Sequence, residues 1–174
     1  MSNRLPSREQ TIELLRKNNC SPKVINHCEA VAKFAMETAS KLEKKGLKID
    51  FKLVEVGALL HDIGRSKTHT VDHAVIGAKM AELAGLPEPV VRIIKRHVGG
   101  GITSEEAEKF GWPKDVYMPL TLEEKIVSYA DKVIEQSKRV PIDLEIEQLR
   151  MEHKDDAAER VRKLNEEITS LLGN

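Results

Sequence analysis

Apolar residues along this chain recur at helical spacing, and the pattern predicts helices nearly from end to end. Ser7 and Gln10 form a capping box that opens a short helix carrying Ile12, Leu14 and Leu15, ended by Asn18 and Asn19. Ser21 as N-cap and Pro22 in the first turn start a second helix, which runs to about Lys45 and is closed by Gly46. Its apolar positions are Val24, Val31, Phe34, Ala35, Thr38 and Leu42, so His27 falls on the same buried face. Asp50 caps a third helix over about 51–62. Within it, from Leu53 to Leu60, only Glu55 is polar. That run delivers His61 and Asp62 side by side and stops at Gly64, which by itself reads as a glycine C-cap.

A polar, basic loop follows over 64–70, with Arg65, Ser66, Lys67, Thr68 and His69. A fourth helix is predicted over about 72–84, with His73 at its start and Gly85 as C-cap. Gly77 in its interior costs on the order of 1 kcal/mol against Ala, which points to close approach of another helix. Pro87 and Pro89 open a fifth helix over 90–97. Gly99, Gly100 and Gly101 read as a flexible break, and 103–110 as a short capped helix. The segment 99–120, with Trp112 and Tyr117, resembles an active-site flap more than a linker. Thr121 and Glu124 form a capping box for a helix carrying Ile126, Val127, Ala130, Val133 and Ile134, and Asp131 sits within that apolar pattern. Pro141 marks a boundary, beyond which 143–174 read as one or two charged amphipathic helices packed on the domain or on a second copy. The organisation is thus an all-α domain over 1–140, with its core at 21–139, and a C-terminal helical extension over 141–174.

Composition narrows the partners. The 28 Lys and Arg balance 28 Asp and Glu, which argues against bulk nucleic acid held by electrostatics while allowing a local basic pocket for a small anion. Aromatic content of 3% disfavours a sheet-rich fold. No apolar stretch is long enough to cross a bilayer, and Met1 to Pro6 contains no signal-peptide core, so the chain reads as cytoplasmic. Cys20 and Cys28 lack metal-type spacing and read as reduced thiols.

The candidate chemistry lies in polar residues on apolar faces. One such residue is usually a satisfied core polar group, but His27, the His61–Asp62 pair and Asp131 come from three separate helices and are all of metal-ligand type. Two imidazoles and two carboxylates suit an open site for a divalent ion: Mn²⁺, Fe²⁺, Co²⁺, Ni²⁺, Zn²⁺ or Mg²⁺. A closed structural zinc site would more often use cysteines.

The order His27, His61–Asp62, Asp131 resembles the H…HD…D signature of the HD superfamily of metal-dependent phosphohydrolases. The resemblance implies an all-helical bundle holding metal near its centre, and hydrolysis of a phosphoester or phosphoanhydride bond of a nucleotide-like substrate through metal-activated water. His73 and His97 match the extra histidines of the subset with two metals, in which the HD aspartate, here Asp62, bridges the ions. The strings around His61, from His73 to Ala78, and from Glu124 to Lys132 resemble those of hydrolases that split diadenosine tetraphosphate symmetrically. The glycine-rich insert and the charged tail depart from that group. The HD-GYP cyclic dinucleotide phosphodiesterases share the extra histidines, but their GYP tract is absent and they rank lower.

The expected metal ligands are therefore His27, His61, Asp62, His73, His97 and Asp131, around one or two ions. Asp62 would orient the attacking water, and Arg65 and Lys67 would hold phosphate oxygens, unless they are ordinary solubilising charges. Lys132 points to phosphate or to solvent, and Trp112 and Tyr117 serve either packing or base stacking. The expected partner is a phosphorylated small molecule, with a homodimer allowed. The rival readings are a nucleotide-binding sensor without turnover and an interaction domain with a structural metal.

Overall fold

The computed structural model describes residues 4–174, and the first three residues of the N-terminal stretch lie outside them. The helices are α1 (Arg8–Lys17), α2 (Pro22–Lys44), α3 (Phe51–Leu60), α4 (His73–Leu83), α5 (Glu88–Lys95), α6 (Ser104–Lys109), α7 (Leu122–Lys132), α8 (Ile142–Met151) and α9 (Asp155–Leu172). The fold is all-α apart from one small hairpin. The expected caps are in place: Ser7, Ser21, Asp50, Thr103 and Thr121 each accept a first-turn N–H of their helix.

The long helix α2 packs against α3 and α7. Val31, Ala35 and Leu42 of α2 meet Leu59 of α3, Ile126 and Ala130 of α7, and Ile168 of α9 in the main core. A second core lies on the other side of α3, where Val56 and Leu60 meet Leu15 of α1, Ala81 of α4, and Val90 and Ile94 of α5. Helix α3 is thus covered on all sides from Val56 to Leu60, which is why its sequence there is an apolar run rather than a stripe. The helix Ile142–Met151 packs on α9 through Ile146, Leu149, Ala158 and Val161.

Three local readings change. Gly64 does not take the left-handed conformation of a helix-closing glycine. The chain leaves α3 after Leu60 and tightens into a 3-10 turn at Ile63–Ser66, and α4 seats directly on it. A Cβ at Gly64 would lie 2.0 Å from the His73 carbonyl oxygen and 2.8 Å from the Gly77 nitrogen. The close approach signalled by Gly77 is therefore glycine against glycine, and it places His73 beside the His61–Asp62 pair.

Helix α7 ends at Lys132, short of Ile134. The chain turns into a hairpin of β1 (Ile134–Glu135) and β2 (Lys138–Arg139), paired Ile134 to Arg139 and Glu135 to Lys138. Val133 and Ile134 remain buried, so they mimic a continuing helical stripe while leaving the helix. Gln136 in the turn is left-handed, with φ 56°.

The expected flexible break over 99–101 is packed. Gly100 lies against the α9 backbone, where a Cβ would be 3.0 Å from the Val161 nitrogen, and Arg160 of α9 donates to the Gly101 carbonyl and to both oxygens of Glu106. Trp112 and Tyr117 form a small core with Ala74, Ile102 and Ala107, and the Trp112 indole N–H donates to Asp72 at 2.7 Å. Both aromatic rings thus serve packing. Behind them, the buried Arg96 guanidinium holds both oxygens of buried Glu124, at 3.0 and 3.1 Å, and donates to the Val116 carbonyl, tying the end of α5 to the start of α7.

Two outcomes follow from this packing. Gly64→Ala should lose about 2 kcal/mol or more in urea unfolding, because the clash is with backbone; an unchanged midpoint would contradict the close approach. Arg96→Met should lose about 3 kcal/mol, since buried Glu124 would lose its counter-charge and keep only the Leu120 and Thr121 N–H groups; a loss below about 1 kcal/mol would show that those bonds or water suffice for the carboxylate.

Candidate metal centre

Apart from His27, each expected metal ligand sits at or just beyond the end of an element. His27 lies in the second turn of α2, whose start is set by Ser21 and Pro22. His61 and Asp62 follow α3, His73 opens α4, His97 follows α5, and Asp131 is the penultimate residue of α7. The structure brings all six together.

Asp62 stands at the middle. Its Oδ2 lies 3.6 Å from His61 Nε2 and 3.8 Å from His27 Nε2, while its Oδ1 lies 3.2 Å from His73 Nε2 and 3.4 Å from His97 Nε2. Asp131 Oδ1 completes the first side, 3.0 Å from His27 Nε2 and 3.3 Å from His61 Nε2. Two groups of donors share this space, His27 with His61 and Asp131, and His61 with Asp62 and His97; within each, the donor atoms lie within 4.8 Å of one another.

All four imidazoles are oriented the same way. The Nδ1 of His61 donates to the Ala58 carbonyl at 2.6 Å, that of His73 to Thr70 at 2.7 Å, that of His97 to Ile94 at 2.6 Å, and that of His27 to Gln136 at 2.7 Å. A carbonyl can only accept, so each ring carries a proton on Nδ1 and turns Nε2 inward, where a metal can take its lone pair once any proton held there has left. His73 Nε2 and His97 Nε2 then face each other at 3.1 Å, a contact that a proton or a cation between the lone pairs must reconcile. His61 Nε2 and Asp62 Oδ1 are buried and have no hydrogen-bond partner among the described residues. Orphaned buried polar atoms are costly unless something else binds them. A divalent cation meets that need with the nitrogen and oxygen donors present, so the residues fit a metal.

The electrostatics agree. Burial by itself would raise the carboxyl of Asp62, but the charge on His61 and the His73 and His97 rings outweigh it and hold it well below the usual range. Burial likewise opposes ionisation of Asp131, and the ammonium of Lys132 with His61 and His27 reverses the effect. His97 is pushed down to about 4 by burial, with His61 and His73 adding repulsion, and so stays neutral. For His61 the balance goes the other way: burial lowers it, but Asp62 and Asp131 hold it well above the ordinary imidazole value.

The site opens on one side. His27 and Asp131, expected on buried faces, each leave 16% of the side chain exposed, whereas His61 is fully covered. Arg65 lies near that side, its Nε 3.5 Å from Asp62 Oδ2 and its guanidinium donating to the His69 carbonyl. Lys67 is exposed and makes no ion pair among the described residues. Sequence reasoning missed one supporting group and gave another, Lys132, only the choice of phosphate or solvent. The Gln136 carbonyl gave no signal, being backbone in a turn just past Ile134, the last apolar position of the predicted helix. Lys132 is buried away from solvent, its ammonium 2.7 Å from Asp131 Oδ2; its place next to Asp131 was the available hint.

Comparison with known proteins gives this arrangement a family. The family model described as HD domain matches residues 24–136, which span every residue of the centre. An uncharacterized protein of Methanocaldococcus jannaschii is 45% identical over 94% of this chain and 98% of its own. A tRNA (cytidine(56)-2'-O)-methyltransferase of Picrophilus torridus is 40% identical over 97% of this chain, which spans only 48% of that protein. Among solved structures, the HD domain of the L. monocytogenes phosphodiesterase PgpH in complex with cyclic-di-AMP superposes with a TM-score of 0.58 at 21% identity, covering 92% of this chain and 96% of the other. That last likeness is one of fold. The match over residues 24–136, carrying the histidines and aspartates just described, makes this chain a member of the HD domain family.

Proposed function

We propose that the chain is a metal-dependent phosphohydrolase acting on a phosphoester or phosphoanhydride bond of a nucleotide-like substrate. The observation that carries this reading is the division of the Asp62 carboxylate: one oxygen faces His27 and His61, the other His73 and His97. In this reading His27, His61, Asp62 and Asp131 would hold one divalent ion, and Asp62, His73 and His97 would hold a second. A bound ion would supply Lewis acidity toward phosphate and lower the pKa of a water.

The protein's own part is to prepare the ground. Main-chain carbonyls fix every imidazole before any ligand arrives, so little reorganisation is left for the moment of reaction. Asp62 and Asp131 are held ionised. Arg65, near the open side and always cationic, would neutralise charge growing on phosphate oxygens. Lys67, on the same turn and exposed, would add to that positive rim. A substrate would approach over the exposed edges of His27 and Asp131.

The nucleotide part of the proposal is supported by the cyclic-di-AMP bound to the PgpH HD domain. A phosphodiester is accordingly the first bond to test. The diadenosine tetraphosphate reading rests on three sequence strings and comes second. Binding without turnover would favour a sensor, but a pure binder has less need of a centre with an open side.

His61→Ala and Asp62→Ala should each remove bound Mn²⁺ in metal analysis and lower hydrolysis of a nucleotide panel with added Mn²⁺ by about a hundredfold or more. The panel spans cyclic nucleotides, cyclic dinucleotides, short RNA, nucleoside phosphates and dinucleoside polyphosphates. Undiminished turnover in either variant would take the chemistry elsewhere.

The pH response has a definite sign. Without metal, His61 keeps its proton above the usual imidazole range, so a metal must displace that proton. Mn²⁺ affinity should therefore climb from about pH 6 to about pH 8, by up to about tenfold per unit for each proton displaced. Calorimetric titration showing a flat or falling affinity would contradict this ligand set.

A further inference from the structure

Lys132 is the last residue of α7, and its long cationic side chain is buried. A charge taken out of water needs partners. Its ammonium donates to Asp131 Oδ2 at 2.7 Å and to the main-chain carbonyl of His97 at 3.3 Å. Ser128, one turn earlier, donates its hydroxyl to the same carbonyl at 3.1 Å.

These bonds have two consequences. Asp131 is left with one oxygen free of Lys132, Oδ1, and that is the oxygen facing His27 and His61. The main chain at His97, although it follows α5, is fastened to α7. Asp131 belongs to one group of donors and His97 to the other, so Lys132 touches a member of each. We propose that Lys132 is a positioning residue, which presents Asp131 through a single oxygen and sets the spacing between the two groups of donors. The inference rests on the metal centre proposed above.

Two effects of this ammonium oppose each other. Its charge repels an arriving cation, so by charge alone its removal would tighten metal binding. Its hydrogen bonds aim Asp131 and anchor His97, so by position its removal would loosen metal binding. The sign of the change therefore distinguishes them.

The experiment titrates the full-length chain with Mn²⁺ by calorimetry and records the visible absorption of the Co²⁺-loaded protein, for wild type, K132M, K132Q and K132R. Positioning predicts that K132M binds Mn²⁺ about tenfold or more weakly, with an altered Co²⁺ spectrum. K132Q, which keeps an amide donor, should fall between K132M and wild type, and K132R should recover most of both properties. Binding by K132M as tight as or tighter than wild type, with the Co²⁺ spectrum unchanged, would overturn the proposal. So would failure of K132R to restore the spectrum. Loss of helical circular dichroism in both K132M and K132Q would assign Lys132 to folding and would also overturn it. A wild-type chain that takes up neither ion would remove the metal-centre reading, and this inference with it. Metal uptake by wild type with indifferent variants would remove this inference alone.

Discussion

A carboxylate held ionised among four inward-facing imidazoles is the constraint around which this protein is built. Asp62 is nearly buried, and one of its oxygens has no hydrogen-bond partner among the described residues. Left to itself such a group would cost more than most single contacts return. The cost is offset because His27, His61, His73 and His97 are each locked through Nδ1, and because Lys132 and Arg65 bring positive charge to the same region. Polar groups arranged for something that binds between them explain both the orphaned oxygen and the facing lone pairs of His73 and His97.

The rest of the fold serves that arrangement. The second half of helix α3, from Val56 to Leu60, is buried throughout, so the two residues that leave it are carried to the middle of the molecule. The glycine contact between residues 64 and 77 lets α4 begin close enough for its first residue to reach Asp62. The Arg96–Glu124 pair fastens the segment before His97 to the helix that bears Asp131. The lobe over 99–120 binds Asp72, the neighbour of His73, through Trp112, and α9 in turn binds the lobe through Arg160. Helices far apart in the chain thereby contribute to the order of one small polar cluster.

Three of the four histidines share a local device. His61, His73 and His97 each give their Nδ1 proton to the carbonyl three residues earlier, at 2.6 or 2.7 Å. Such a bond forms at a helix end or tight turn, and it orients the ring without help from the tertiary structure. His27 is the exception. Its carbonyl partner is Gln136, 109 residues away in a left-handed turn, so its orientation exists only once the hairpin has docked.

Much of this was legible in the chain itself. Capping residues and helical periodicity placed most of the helices within a residue or two, because caps and stripes are local physics. His27, His61, Asp62, His73, His97 and Asp131 stood out as candidates, because ligand-type residues on apolar faces are expensive and their order matches the HD pattern. Other features belonged to the tertiary structure alone. Gly64 looked like a helix stop and proved to be a contact surface, since only the neighbour reveals why a Cβ is absent. Val133 and Ile134 kept their place in the core while leaving the helix, so periodicity could not tell a hairpin from a further turn. The split of Asp62 between two sets of nitrogens was likewise decided by packing, because a sequence specifies which donors are present, while the distances between them depend on how the helices meet.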